Sequence, residues 1–160
     1  MTHDLDPFDT QLLNLMQEDA SLTAEQLAER VPLSASAIQR RIRRLRKEGV
    51  IVGQTVILEP RRVGRPTFFV VGVQVERERP EHLHELSRWL VAEPWVQQAF
   101  YVTGEADFVL VVTAPDTESY QALMARMMAE NPNVKRFTTN VALGLVKRGL
   151  GIPVPMPDRA

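Results

Sequence analysis

The chain has 160 residues, 44% of them hydrophobic and 24% charged, with a formal net charge of −1 and no cysteine. That length fits one domain or two small ones with an ordinary globular balance, and the missing thiols exclude disulfides, thiol nucleophiles and zinc–thiolate clusters, so no cofactor and no metal are expected. No apolar run reaches the roughly 18 residues of a membrane span, and "MTHDLDPFD" lacks the basic-then-apolar layout of a signal peptide, so a cytoplasmic protein without a membrane partner is expected.

Near-neutrality hides a segregation of charge. Residues 1–29 carry seven acids and no lysine or arginine, whereas residues 30–58 carry seven bases against Glu48 alone. The first helix opens on "LDPFDTQLLNLMQEDA", with Asp6 as N-cap, Pro7 at the first helical position and Asp9 in the first turn. Phe8, Leu12, Leu15 and Met16 then recur on one face. "SLTAEQLAERV" restarts with Thr23 as cap and Gln26 three residues later, a capping box that would bury Ala24, Leu27, Ala28 and Val31. After the break "PLS", Ser34 caps a third helix that runs to about Glu48 and stops at Gly49. Three short helices with a tight break before the third make a helix-turn-helix pattern.

The third helix holds six cations in the eight positions from Arg40 to Lys47. On a helical wheel Ile38, Ile42 and Leu45 cluster toward a core, and Ser36, Arg40, Arg43 and Lys47 fall opposite, with Arg44 alongside. Arg41 and Arg46 flank the buried stripe. A merely solvated face would interleave acids, and none occurs between Arg40 and Lys47, so like charges would repel at successive turns. Double-stranded DNA accounts for this layout better. Ser36, Gln39 and Arg40 are placed to approach base edges and Arg43, Arg44 and Lys47 to grip phosphates, with the cap Ser34 also at the DNA-binding surface.

"VIVGQTVILEP" reads as a strand leaving the helices, and "RRVGRP" as a connector whose arginines either touch the DNA backbone or line an exposed hinge. From Thr67 the pattern changes. "TFFVVGVQV" is a strand; "EHLHELSRWL" is a helix burying Leu83, Leu86 and Leu90; "VQQAFYVT" and "DFVLVVTA" are strands joined by "GEA". "TESYQALMARMMAE" is a helix burying Tyr120, Leu123, Met124 and Met127, its methionines serving a core rather than a groove, and "VKRFTTNVALGLV" is a last long strand. The order βαββαβ is a ferredoxin-like split unit, giving an α+β chain. Its sheet has one helix-covered face, and the other is apolar enough, through Phe69, Val71, Val73 or their neighbours, to need a partner. The expected domains are 1–49 (DNA-binding head), 50–66 (linking strand and hinge), 67–147 (βαββαβ domain) and 148–160 (a flexible, proline-rich tail).

The pattern "LSxSxxxxRxRRLxxxGxI", a linking strand and a βαββαβ domain carrying "VTGEADFVLVV" closely resemble the Lrp/AsnC family of leucine- and asparagine-responsive transcriptional regulators, over roughly residues 5 to 147. The resemblance implies a homodimer, often assembled further, for instance to an octamer. It also implies a small-molecule effector, commonly an amino acid, bound by the C-terminal domain through the loop at 103–107. Two departures stand out: Pro32 occupies the position where the family's turn usually has glycine, and Ala106 that of an aromatic between Glu105 and Asp107.

The chemistry of "TGEAD" fits an amino acid. A turn at Gly104 can aim backbone N–H groups at a carboxylate, and Asp107 can accept from an ammonium group. Glu105 and Ala106 complete the loop, Thr103 and Thr139 add hydroxyls, and Tyr101 adds a wall with a polar tip. On the residues alone a plain hairpin turn, tied down by Asp107, stands ahead of an effector site; the resemblance reverses that order. An effector-independent architectural DNA-binding protein is the alternative function. An enzyme is not expected: His82 and His84 face different sides of a helix, and neither a phosphate-binding loop nor HExxH occurs.

Overall fold

All three helix-start signals of the first quarter operate as written. In the computed structural model, which describes residues 5–157, Asp6 caps α1 (Pro7–Glu18) by accepting from the Asp9 N–H, and the Asp9 carboxylate takes the Asp6 N–H in return. Thr23 and Gln26 form the same reciprocal box at the start of α2 (Ala24–Ala28), which is shorter than its sequence pattern. α3 (Ala35–Lys47) starts at Ser34, whose hydroxyl accepts from the Ala37 N–H. It ends where Gly49 takes φ +74 and the Gly49 and Val50 N–H groups turn back to Arg46 and Leu45. That double closure needs a left-handed residue at Gly49, which glycine supplies without a Cβ clash. Leu12, Leu27, Val31 and Ile38 form the head's core.

The break before α3 answers the question posed by Pro32. The Leu33 N–H donates to the Val31 carbonyl at 2.7 Å, closing a three-residue γ-turn centred on Pro32. An inverse γ-turn wants φ near −75° at its centre, close to what the pyrrolidine ring imposes. No positive φ is needed, and Gly49, Gly64, Arg65 and Gly104 are the positions with positive φ among the described residues.

The segment from Val50 to Leu58 forms no strand. A strand needs a neighbouring ladder for its N–H and C=O groups, and this segment joins no ladder among the described residues; Val52 is 95% exposed and Val56 79%. The connector beyond it is a 3-10 turn at Pro60–Arg62, capped by Glu59, with Arg61 and Arg62 exposed.

The second unit, Ile57–Val146, holds a four-stranded antiparallel sheet ordered β2-β3-β1-β4. Its elements are β1 (Thr67–Val75), α4 (Pro80–Ala92), β2 (Val96–Tyr101), β3 (Phe108–Ala114), α5 (Thr117–Glu130) and β4 (Val134–Val141). β4 stops at Val141, opposite Phe69 and before the expected end at Val146, and the Ala142 N–H still donates to the Phe68 carbonyl at 2.9 Å. Phe69, Val71 and Val73 point into the helices, with Leu86, Leu90, Leu123, Met124 and Met127, and Phe69 stacks on Tyr120 at 3.9 Å. The face away from the helices therefore belongs to their neighbours Phe68, Val70, Gly72 and Gln74.

The tail also departs from expectation. Residues from Lys147 belong to the same compact unit as the N-terminal helices, and Asn14 and Gln17 of α1 hydrogen-bond the backbone of Val154 and Ile152. Ile152 and Val154 of the expected flexible tail are thus held on α1, and residues 158–160 lie outside the described residues.

Candidate functional site

Every residue singled out on α3 for DNA (Ser34, Ser36, Gln39, Arg40, Arg43, Arg44 and Lys47) is exposed, while Ile38 and Leu45 are fully buried beneath them. The cations are not equivalent. Asp9 is fully buried, and its carboxylate accepts from Arg41 at 2.9 Å and from Arg44. Arg41 also reaches Asp6, and its guanidinium lies 5.6 Å from the Phe8 ring centroid. Burial pushes the Asp6 carboxyl up, but the Asp9 N–H and the Arg41 guanidinium outweigh it and hold that group below its ordinary value. Arg46 donates to the Gln54 side chain. Arg44, assigned to phosphate from the wheel, is therefore committed to Asp9 and sits 3.9 Å from Glu48. Arg40, Arg43 and Lys47 have no ion-pair partner among the described residues, and they form the uncompensated cationic edge of the helix.

In the second unit the turn at 103–107 is built around Gly104 at φ +127. The Asp107 N–H donates to the Val73 carbonyl, and its Oδ2 accepts from the Val75 N–H at 2.7 Å, where β1 carries a bulge. Asp107 thus stitches β3 to β1. The Gln74 side chain donates to the Glu105 carbonyl and accepts from Arg136 Nε at 2.6 Å, linking the turn to β4.

A shallow cleft of about 120 Å³ opens there, lined by Gly72, Gln74, Glu105, Ala106, Arg136, Phe137 and Thr138. Gly72 makes the room: a Cβ at that position would lie 3.0 Å from Thr138 Oγ1 and 3.3 Å from the Ala106 methyl. Of the seven residues expected to bind an effector, Glu105 and Ala106 line this cleft, and Tyr101, Thr103, Gly104, Asp107 and Thr139 do not. Thr139 lies on the helix side of the sheet, hydrogen-bonded to the Tyr120 hydroxyl. Tyr101 packs beside Phe108 and donates to the Glu78 carboxylate, and desolvation together with that carboxylate raises its phenol above the ordinary value. Gly72, Gln74, Arg136, Phe137 and Thr138 are the residues that sequence reasoning missed. Alternation along β1 would have placed the first two on the open face; the register of β4 against β1 was needed for the others.

A three-helix head with a capped, cationic third helix and an antiparallel βαββαβ unit with a polar cleft define a DNA-binding regulator with a ligand-binding domain. Residues 5–46 match the AsnC-type helix-turn-helix domain, and residues 69–152 match the Lrp/AsnC ligand binding domain. The chain belongs to the Lrp/AsnC family and is a transcriptional regulator, not an enzyme. It is 41% identical over 151 residues to an HTH-type transcriptional regulator of Sinorhizobium fredii, covering 94% of this chain and 89% of that one. Among solved structures, an AsnC family transcriptional regulator from Agrobacterium tumefaciens superposes with a TM-score of 0.84 at 28% identity, covering 93% and 97% of the two chains. A transcriptional regulator of Neisseria meningitidis in complex with L-methionine gives 0.83 at 25% identity, covering 93% and 96%. No helix among the described residues is long and apolar enough to cross a membrane.

Proposed function

We propose that this regulator reads a specific DNA sequence with α3 and responds to an amino acid held in the cleft beside the 103–107 turn. Ser36, Gln39 and Arg40 meet base edges; Arg43 and Lys47 contact phosphates, with Arg44 in reserve behind Asp9. The observation that carries the effector reading is the pairing of opposite charges on one small cleft. Arg136 presents a guanidinium whose Nε alone is taken by Gln74, and Glu105 presents a carboxylate on the adjoining turn. A zwitterion with a side chain over Gly72 and Ala106 matches that arrangement, and the methionine complex of the Neisseria relative supports it. Asp107 acts here as the tie that sets the turn. The protein works as a homodimer able to assemble further, because Val70 and Phe100 on the open face and Val52 to Leu58 on the linker leave apolar surface for a second copy.

A thermal-shift screen of the twenty amino acids tests this, since a ligand that binds only the native state raises its stability by mass action. One or two amino acids, methionine among them, should raise the melting temperature. Arg136→Ala should weaken methionine roughly 10- to 150-fold, the equivalent of about 1.5–3 kcal/mol for one charged hydrogen bond. A chain stabilised by none of the twenty would be an architectural DNA-binding protein instead.

A further inference from the structure

The C-terminal segment "GIPVPMP" alternates proline with aliphatic residues, and the structure lays it along α1. Asn14 Nδ2 donates to the Val154 carbonyl at 2.9 Å, and Asn14 Oδ1 accepts from the Val154 N–H at 3.1 Å. One helical turn on, Gln17 Nε2 donates to the Ile152 carbonyl at 2.9 Å, and Gln17 Oε1 accepts from the Ile152 N–H at 2.6 Å. A carboxamide carries the same donor and acceptor as a peptide group, so each side chain satisfies both backbone groups of one residue, as a neighbouring strand would.

The spacings agree. Asn14 and Gln17, three apart on a helix, share a face. Ile152 and Val154, two apart on an extended chain, share a side. Pro153, Pro155 and Pro157 have no N–H to leave unpaired, and each restricts the residue before it to extended backbone. The segment is therefore held near its docked shape before it docks, which lowers the entropy lost on ordering it. The compact unit built on the N-terminal helices takes in residues from Lys147 onward, so the chain of the ligand-binding unit is anchored to the head at both of its ends.

We propose that residues 151–157 are a strap: a proline-alternating strand that the Asn14–Gln17 ladder of α1 recognises, giving the ligand-binding domain a second, releasable connection to the DNA-binding head. The strap limits how freely the head moves, and releasing it frees the head without breaking the chain.

Amide exchange and ¹⁵N relaxation on the full-length protein test this. The Ile152 and Val154 amides should exchange about tenfold or more slower than in unstructured chain, the behaviour of a locally closed segment. The variant Asn14→Asp/Gln17→Glu keeps the side-chain shapes but turns both donors into acceptors; it should return those amides to unstructured rates and give head amides faster independent motion. The tail variant Ile152→Pro/Val154→Pro removes the two N–H donors without touching the head, and it should free the head in the same way. Mixing labelled Asn14→Asp/Gln17→Glu chains with unlabelled Ile152→Pro/Val154→Pro chains should restore no protection. Restoration would mean that the tail docks on a second copy, which overturns the strap as a connection within one chain. Unprotected Ile152 and Val154 amides in the native protein would overturn it, as would protection that survives the α1 variant, or head relaxation that neither variant changes.

Discussion

Replacing Asp9 by Asn isolates what the buried ion cluster does for the head. The carboxylate is fully buried and serves Arg41 and Arg44, whose side chains remain 24% and 43% exposed. Asn keeps the volume and can still accept the Asp6 N–H, so the capping box survives and the charge is what is lost. Breaking a fully buried pair costs about 3–5 kcal/mol. Here Arg41 keeps Asp6 and both guanidinia reach water, which brings the cost down to about 2–3 kcal/mol. For a unit of this size about 1 kcal/mol moves the melting temperature by roughly 4–8 °C, so the head transition should fall by about 10–20 °C. Calorimetry with helical circular dichroism reads the head, while fluorescence of Trp89 and Trp95, both in the second unit, should hold its midpoint. The same substitution frees Arg44, so the salt dependence of DNA binding should steepen by up to about 0.9 in log–log slope. A head transition that moves by less than about 2 °C would refute the cluster as a stabilising element.

Four further outcomes follow from the same geometry. Lys47→Ala and Arg43→Ala should each reduce the salt slope by about 0.9 on specific and random duplexes alike, whereas Arg44→Ala should reduce it less and lower the head's melting temperature. Asp107→Ala should destabilise the second unit by about 1.5–3 kcal/mol through the unpaired Val75 N–H, with methionine affinity of the folded variant unchanged in calorimetric titration. Val70→Glu should shift the full-length protein toward monomer in sedimentation, since the charge would fall on the open sheet face. Acid unfolding should register Asp6: its folded value lies below the unfolded one, so its contribution is complete above the unfolded value near 3.8 and is lost as pH falls through the folded value. Asp6→Asn should flatten that limb of the stability curve.

Local signals were legible because their physics is local. Asp6, Thr23, Ser34 and Gly49 set helix ends through hydrogen bonds within a few residues, and the spacing of Leu123, Met124 and Met127 fixed a buried face before any partner was known. The site was legible only in part. The turn at 103–107 declared itself through Gly104, but its cleft is completed by Gly72 and Arg136, which meet only through the pairing of β1 with β4. Thr139 was the wrong neighbour of the right residue, because a one-residue step along a strand changes face and Thr138 is the side chain in the cleft. The linker shows the converse failure. Its β-branched residues carry strand propensity, but propensity supplies no partner edge, and no strand among the described residues pairs with Val50–Leu58.

The charge on α3 has the same moral. No acid stands between Arg40 and Lys47, which in sequence argued for a polyanion against the whole run. The fold supplies an acid from more than thirty residues away: Asp9 on α1 takes Arg41 and Arg44, which share one side of α3 three residues apart. The acidic first segment is therefore part of how the basic helix is seated, and the two opposite-signed blocks are one device. Apart from Arg46, bonded to the neutral Gln54 side chain, what is left over is Arg40, Arg43 and Lys47, spaced three and four apart on the face opposite Ile38 and Leu45. Three cations that the protein could have neutralised in the same way, and did not, are a sharper pointer to phosphate than six cations counted along the sequence.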